Sequence, residues 1–230
     1  MKINWDSEVL SSVSKVVDQL EHLSINKDSI ESVADWLAYE EFPIPNSAAV
    51  RDDADDFIRA TMFMNTLNFA FTDFDKSIKY EVNEDGKILS DSEAMYFQVN
   101  NAISSGIKLT DGNEMASISL HQLKNIFVGN IEMPMLKERV EILNEVGQKL
   151  VDSYEGDWIN FINNGPKKLY SDGGGLIERL IEEFPRFDDS SQFKGSNVKF
   201  YKLAQLAFWV IHAELSGSNY FKIEDMNSMT

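Results

Sequence analysis

The sequence predicts a mainly α-helical protein with a small β-hairpin or short sheet. Apolar residues recur every three or four positions over most of the 230 residues, which is the period of an amphipathic helix. Residues 75–89 instead combine alternating apolar positions with the turn signal Asn83-Glu84-Asp85-Gly86. With 43% hydrophobic residues the chain can bury a sizeable core, so we expect residues 1–230 to form a single globular domain.

The helical pattern divides into segments that proline and glycine separate. Pro43 and Pro45 end the second segment, since proline removes a hydrogen-bond donor and restricts the residue before it. Gly106 ends a later helix, and Pro134 precedes the clearest one. The predicted helices are residues 9–20, 30–37, 48–71, 92–105, 119–127, 136–150, 176–184 and 198–215. The end of the third, residues 67–71, fits an extended strand equally well.

Two helices carry polar residues on faces that we expect to be buried. Asn65 and Asn68 lie on the inner face of the third helix, and a buried carboxamide without partners costs about 1–3 kcal/mol. These amides therefore either bind neighbouring backbone or line a polar pocket. In the last helix Lys202, Gln205 and His212 follow one stripe with Trp209, which indicates either a pocket wall or a solvent-facing side.

Composition excludes several classes of protein. The net charge of −17 opposes binding to a nucleic acid duplex, although a few local cations can still hold one small anion. No apolar run reaches the length of a membrane span, and the first residues do not resemble a secretory signal. The chain has no cysteine, and its three histidines are far apart in sequence, so we predict no metal and no cofactor. We expect a cytoplasmic monomer.

Several segments resemble a known family in their order and spacing. Phe184-Pro185-Arg186-Phe187-Asp188 is followed by Phe193-Lys194-Gly195 and by residues 198–205. The matches continue in residues 67–71, 99–110, 133–147 and 225–230. Together these segments resemble the queuosine salvage family, whose members hydrolyse queuosine 5′-phosphate and release the base queuine. The resemblance implies a helical architecture like that of DNA glycosylases and a small nucleotide as substrate.

The resemblance also suggests which residues act on that nucleotide. Hydrolysis passes through an oxocarbenium-like sugar, which a carboxylate stabilises, and Asp225 is our candidate for this catalytic role. The candidates for substrate binding differ in their chemistry. Asn68 is the amide for the edge of the base, and Phe69 or Phe71 is the ring that stacks on it. Arg139 and Lys202 are the cations for the phosphate or for ordering carboxylates, and Gln205 is the matched glutamine.

The sequence departs from the family pattern in ways that keep other functions open. Val210 stands where the central helix of the family usually carries an aspartate, five residues after the matched glutamine. We also expect the C-terminal portion of the family to be missing from residues 1–230. A relative that binds a nucleoside or base without turnover is therefore an alternative, and a helical interaction module is another.

Overall fold

The computed structural model describes residues 7–41, 53–218 and 220–229, and these residues are mainly α-helical. The α-helices are α1 (Glu8–Ser14), α2 (Lys27–Leu37), α3 (Ala54–Thr66), α4 (Asp91–Ser104), α5 (Gly112–Ser117), α6 (Leu120–Ile126), α7 (Leu136–Tyr154), α8 (Trp158–Asn163), α9 (Leu176–Glu183) and α10 (Lys202–Leu215). The strands are β1 (Thr72–Asp73), β2 (Ile78–Lys79), β3 (Glu81–Glu84), β4 (Lys87–Ser90), β5 (Ser190–Phe193) and β6 (Ser196–Lys199). The predicted fold class is confirmed.

Polar side chains set where many of the helices begin. Asp53, Asp111 and Asp157 accept hydrogen bonds from backbone amides in the first turns of α3, α5 and α8. Ser119 and Gln122 form a reciprocal capping box at the start of α6. Such caps satisfy amides that have no partner inside the helix, and each contributes about 1 kcal/mol. The helix starts are therefore encoded locally.

In the described parts of the chain, the strands form three antiparallel two-stranded sheets. The predicted hairpin is confirmed: β3 pairs with β4 through a turn in which Asp85 and Gly86 both have positive φ angles, 50° and 91°. The amide of Gly86 donates to Oδ1 of Asn83 over 2.8 Å, which closes the turn. The β5–β6 hairpin was not predicted; its turn at Lys194 and Gly195 has the same left-handed geometry.

Three predicted helix boundaries were wrong. The first helix, predicted over residues 9–20, ends at Ser14 and is followed by a 3₁₀ turn at Val17–Gln19. The last helix was predicted from residue 198 but begins at Lys202, because residues 196–199 pair with β5. Within this strand Asn197 is exposed and its neighbour Val198 is buried, as expected where successive side chains point to opposite faces. The third helix ends at Thr66, so residues 67–71 belong neither to the helix nor to a strand. The break predicted at Pro43 and Pro45 lies outside the described residues.

The core surrounds two helices that pack against each other, α3 and α10. Met62 and Phe63 of α3 and Ala207, Phe208 and Ile211 of α10 have no exposed surface. An aromatic cluster of Trp158, Phe161 and Phe184 extends the core. The near-continuous apolar character of α10 thus reflects a central position, as the sequence predicted. Searched over the described residues, no helix is both long and apolar enough to cross a membrane.

Candidate functional site

The candidate site is built on the segment that follows α3. After Thr66 the chain turns through Leu67, Asn68 and Phe69 to Ala70, which has a positive φ angle of 48°. Asn68 and Phe69 are half-buried, so both side chains keep an exposed part. Nδ2 of Asn68 donates to the hydroxyl of Tyr96 over 3.2 Å, which fixes the orientation of the amide. The turn thereby presents an oriented amide beside an aromatic ring.

Arg139 holds this segment in place from the first turns of α7. Its side chain has no exposed surface and donates to four backbone carbonyls. Nε donates to Pro134 over 3.0 Å, Nη1 donates to Leu67, and Nη2 donates to Phe69 and to Ala70. The guanidinium carbon also lies 4.3 Å from the centroid of the Phe69 ring. Arg139 therefore orders the turn with both terminal nitrogens of its side chain.

A second guanidinium group contacts the same ring. Arg186 lies in the short 3₁₀ turn Pro185–Phe187 after α9, and its guanidinium carbon is 4.5 Å from the centroid of Phe69. Its Nε donates to the carbonyl of Thr66 over 2.8 Å. Arg186 was not predicted as a site residue. Its place in the matched motif Phe184-Pro185-Arg186-Phe187-Asp188 was the available signal.

Both cations contact the ring of Phe69, and no carboxylate among the described residues pairs with either of them. Neither Arg139 nor Arg186 forms an ion pair within the described parts of the chain. Burial, and next the charge of Arg186, lower the pKa of Arg139 to about 10. Burial also lowers the pKa of Arg186, while the charge of Asp189 acts in the opposite direction. The cluster is thus locally electropositive within an acidic protein.

We call this group of side chains the Phe69 cluster; it comprises Asn68, Phe69, Phe71, Arg139 and Arg186. The ring of Phe71 lies 5.2 Å from the guanidinium carbon of Arg139, so both candidate stacking rings belong to it. Four residues that the sequence analysis proposed for substrate binding are therefore brought together. Their roles toward a ligand stay predictions.

The remaining binding candidates lie at the start of α10. The carboxylate of Asp189 accepts the backbone amide of Lys202 over 3.0 and 3.1 Å, and burial raises the pKa of Asp189. The side chain of Lys202 is exposed, whereas Gln205 is buried and its Nε2 donates to the carbonyl of Phe200 over 3.0 Å. Along the predicted polar stripe, Lys202 and Trp209 are thus exposed, Gln205 is buried and His212 is half-buried.

The two amides of α3 and the following turn have different surroundings. Nδ2 of Asn65 donates to the carbonyl of Thr61 over 2.9 Å, which confirms a neighbouring backbone group as the partner of that buried amide. Its Oδ1 is buried without a partner among the described residues. Asn68 instead bonds to the side chain of Tyr96. A cleft of about 580 Å³ lies between residues 72–76 and 131–138, and neither amide lines it.

Asp225, the catalytic candidate, is held by the protein backbone. Its carboxylate oxygens accept the amides of Leu169 over 2.7 Å and of Tyr170 over 3.2 Å. Nearby, Nδ1 of His212 accepts the amide of Ile223 over 3.0 Å. These contacts anchor residues 220–229 to the loop before α9 and to α10. Asp225 makes no hydrogen bond or ion pair with the Phe69 cluster in the described structure.

Acidification is expected to weaken this anchor. Burial, and then the charge of Lys222, lower the pKa of His212 below its usual 6.5. Because the unfolded chain then binds the proton more readily, the contribution of His212 is complete above that value and is lost as the pH falls through the lowered pKa. The lost acceptor costs about 1 kcal/mol. The protection factor of the Ile223 amide, which is the exchange rate corrected for the intrinsic rate at each pH, should therefore be lower at pH 5 than at pH 7.5.

His212→Asn provides the matched control for this effect. Asparagine can place an oxygen near the position of Nδ1, but it does not titrate. The acid-induced fall in the protection factor of the Ile223 amide should therefore be smaller in the variant. Equal pH dependence in the two proteins contradicts the assignment of the anchor to His212.

The fold and the cluster together define a mainly helical protein with a mixed aromatic and cationic site. The family model described as "Queuosine salvage protein" matches residues 48–230. The chain therefore belongs to the queuosine salvage protein family. This finding confirms the family resemblance seen in the sequence.

Curated relatives carry the name queuosine 5′-phosphate N-glycosylase/hydrolase. The protein from Bos taurus is 30% identical over 168 residues, which are 72% of this chain and 48% of the relative. The protein from Mus musculus is 29% identical over 180 residues, 77% of this chain and 52% of the relative. The protein from Sphaerobacter thermophilus is 24% identical over 225 residues, 96% of this chain and 68% of the relative. The chain thus spans about half the length of the mammalian relatives that it matches.

Proposed function

We propose that this protein hydrolyses the N-glycosidic bond of queuosine 5′-phosphate and releases queuine. Membership of the family and the name shared by the relatives support the proposal. The structural observation that carries it is the Phe69 cluster, in which an amide, two aromatic rings and two guanidinium groups converge. A nucleotide offers a hydrogen-bonding base edge, a flat ring and a phosphate, which match these groups in kind.

The reaction replaces one bond at the anomeric carbon with another. The bond between that carbon and the base nitrogen breaks, and its electron pair stays with the base, which gains a proton. The oxygen of a water molecule then bonds to the anomeric carbon, and the products are the free base and a sugar phosphate. Position 7 of this base is carbon and cannot be protonated as a purine nitrogen can. Hydrogen bonds to other base edges must therefore assist departure, and we assign one of them to Asn68.

Positive charge on the sugar requires a carboxylate nearby, and Asp225 is the residue we propose. Its two backbone hydrogen bonds hold the carboxylate in a fixed orientation, so little reorganisation is needed as charge develops. Lys202, with an exposed side chain at the start of α10, is proposed to contact the phosphate, and Gln205 to support that helix start. Arg139 is proposed to position the binding turn.

Asn68→Ala is expected to lower kcat/KM for release of queuine about 10- to 100-fold, because the base loses one buried hydrogen-bond partner. The measurement is incubation with queuosine 5′-phosphate followed by chromatography for the free base. Asn101→Ala is the matched control, since Asn101 is exposed on α4. The folded wild type releasing no queuine contradicts the proposed activity, and equal rates in both variants contradict the role of Asn68.

One observation favours binding without turnover as a second candidate function. Val210, which stands in place of the family's usual aspartate, is half-buried on α10 and packs against the core. A valine there supplies no charge to the sugar. This alternative predicts calorimetric binding of queuosine 5′-phosphate with no release of base, and it predicts that Val210→Asp gains activity. Turnover by the wild type contradicts it.

A further inference from the structure

Arg139 is poorly suited to bind a phosphate. Its side chain has no exposed surface, and Nε, Nη1 and Nη2 all donate to backbone carbonyls. A ligand oxygen would have to displace these carbonyls, and each one left without a donor in the interior costs free energy. The phosphate of the proposed nucleotide substrate therefore needs a cation other than Arg139.

Arg186 has the properties that Arg139 lacks. It is only half-buried, and its single hydrogen bond within the described structure runs from Nε to Thr66. Among the described residues, Nη2 is buried without a partner and no carboxylate lies within ion-pair distance of the guanidinium group. A guanidinium group with unused donors in partly desolvated surroundings favours an anion, because its planar fork matches two oxygens of a phosphate.

The surroundings of Arg186 add to this preference. Arg139 also contacts the ring of Phe69. It adds a second positive charge, which no ion pair neutralises within the described part of the chain. The negative charge of Asp189 also acts on Arg186. Its carboxylate does not pair with the guanidinium group, however, but accepts the backbone amide at the start of α10. That amide belongs to Lys202. The exposed side chain of Lys202 therefore lies at the start of α10, where the carboxylate of Asp189 binds the backbone.

We infer that Arg186 binds the phosphate group of a nucleotide substrate, with Phe69 and Asn68 next to it for the base. This inference rests on the proposed function for the identity of the nucleotide, but the phosphate site itself does not require turnover. It assigns phosphate recognition to Arg186 and leaves Arg139 the task of ordering the turn. The preference for a phosphorylated substrate over its nucleoside then depends on Arg186.

Arg186→Gln is the direct test, with queuosine 5′-phosphate and the nucleoside queuosine as paired substrates. We expect kcat/KM for the nucleotide to fall about 10- to 100-fold, mainly through KM, because charge-assisted hydrogen bonds to the phosphate are lost. The value for the nucleoside should change far less. Arg59→Gln is the matched control, since Arg59 is an arginine already paired with Asp56 and Asp157. Equal losses for nucleotide and nucleoside would show that Arg186 acts only on folding, which overturns the inference.

Ribose 5-phosphate separates this inference from the proposed function. Calorimetry should detect its binding to the wild type and to Arg59→Gln, and at least tenfold weaker binding to Arg186→Gln. If no protein releases queuine but this difference persists, the proposed activity fails and the phosphate site stands. If queuine is released and Arg186→Gln keeps the full preference for the nucleotide, the phosphate site fails and the activity stands.

Discussion

Replacing Arg139 with methionine is expected to lower the free energy of unfolding by about 3–5 kcal/mol, because up to four backbone carbonyls lose their donor and each buried acceptor left unsatisfied costs about 1 kcal/mol or more. Methionine fills a similar length of the core but donates no hydrogen bond. The carbonyls of Leu67, Phe69, Ala70 and Pro134 would then lose their donor. For a chain of this size the midpoint of thermal unfolding should fall by about 10 °C.

Two further variants distinguish the lost hydrogen bonds from the lost charge. Lys137→Met removes a cation two residues earlier on α7, where the side chain is exposed, and should change the midpoint by little. Arg139→Lys keeps the charge, but one ammonium group cannot reach all four carbonyls, so we expect an intermediate loss. A midpoint for Arg139→Met equal to that of Lys137→Met contradicts the proposed role.

The helices were predictable because their signals lie within each segment. The apolar spacing of residues 136–150 and the proline before them place α7 correctly at its start, and the capping side chain of Ser119 begins α6. The β5–β6 hairpin was missed because Val198, Phe200 and Tyr201 extend the apolar run of α10 in sequence. Pairing with β5, which periodicity along one segment does not report, decides the structure there.

The candidate site was predictable only in part, for a related reason. Family motifs pointed to Asn68, Phe69, Phe71 and Arg139, and the structure brings these residues together. Arg186 reaches Phe69 across more than a hundred residues of sequence, so no local pattern reveals that contact. Likewise, the spacing of Lys202 and Gln205 gives a shared stripe, but the neighbours of α10 decide that one is exposed and the other buried.

Gly147→Ala should also destabilise the protein strongly, because the backbones of α5 and α7 are in direct contact at this position. A Cβ atom on Gly147 would lie 2.3 Å from the amide nitrogen of Ala116 and 2.7 Å from the carbonyl oxygen of Gly112. Both obstacles are backbone atoms, so one helix must shift. Overpacking of this kind costs about 1–3 kcal/mol or more, which outweighs the helix propensity that alanine gains. We expect a loss of about 3 kcal/mol, measured by urea unfolding.

The shift should extend along α7, because the helix that carries Gly147 also carries Arg139. Asn144 donates to the carbonyls of Met115 and Ile118, so separation of α5 from α7 also strains these hydrogen bonds. Gly217→Ala is the matched control, since no atom lies within 4 Å of its added Cβ. That variant should keep the stability of the wild type, because its new methyl group meets open space. Equal stability of the two variants would mean that α5 can move without loss of stability. The close contact would then not determine the position of α7 and of Arg139 near its start.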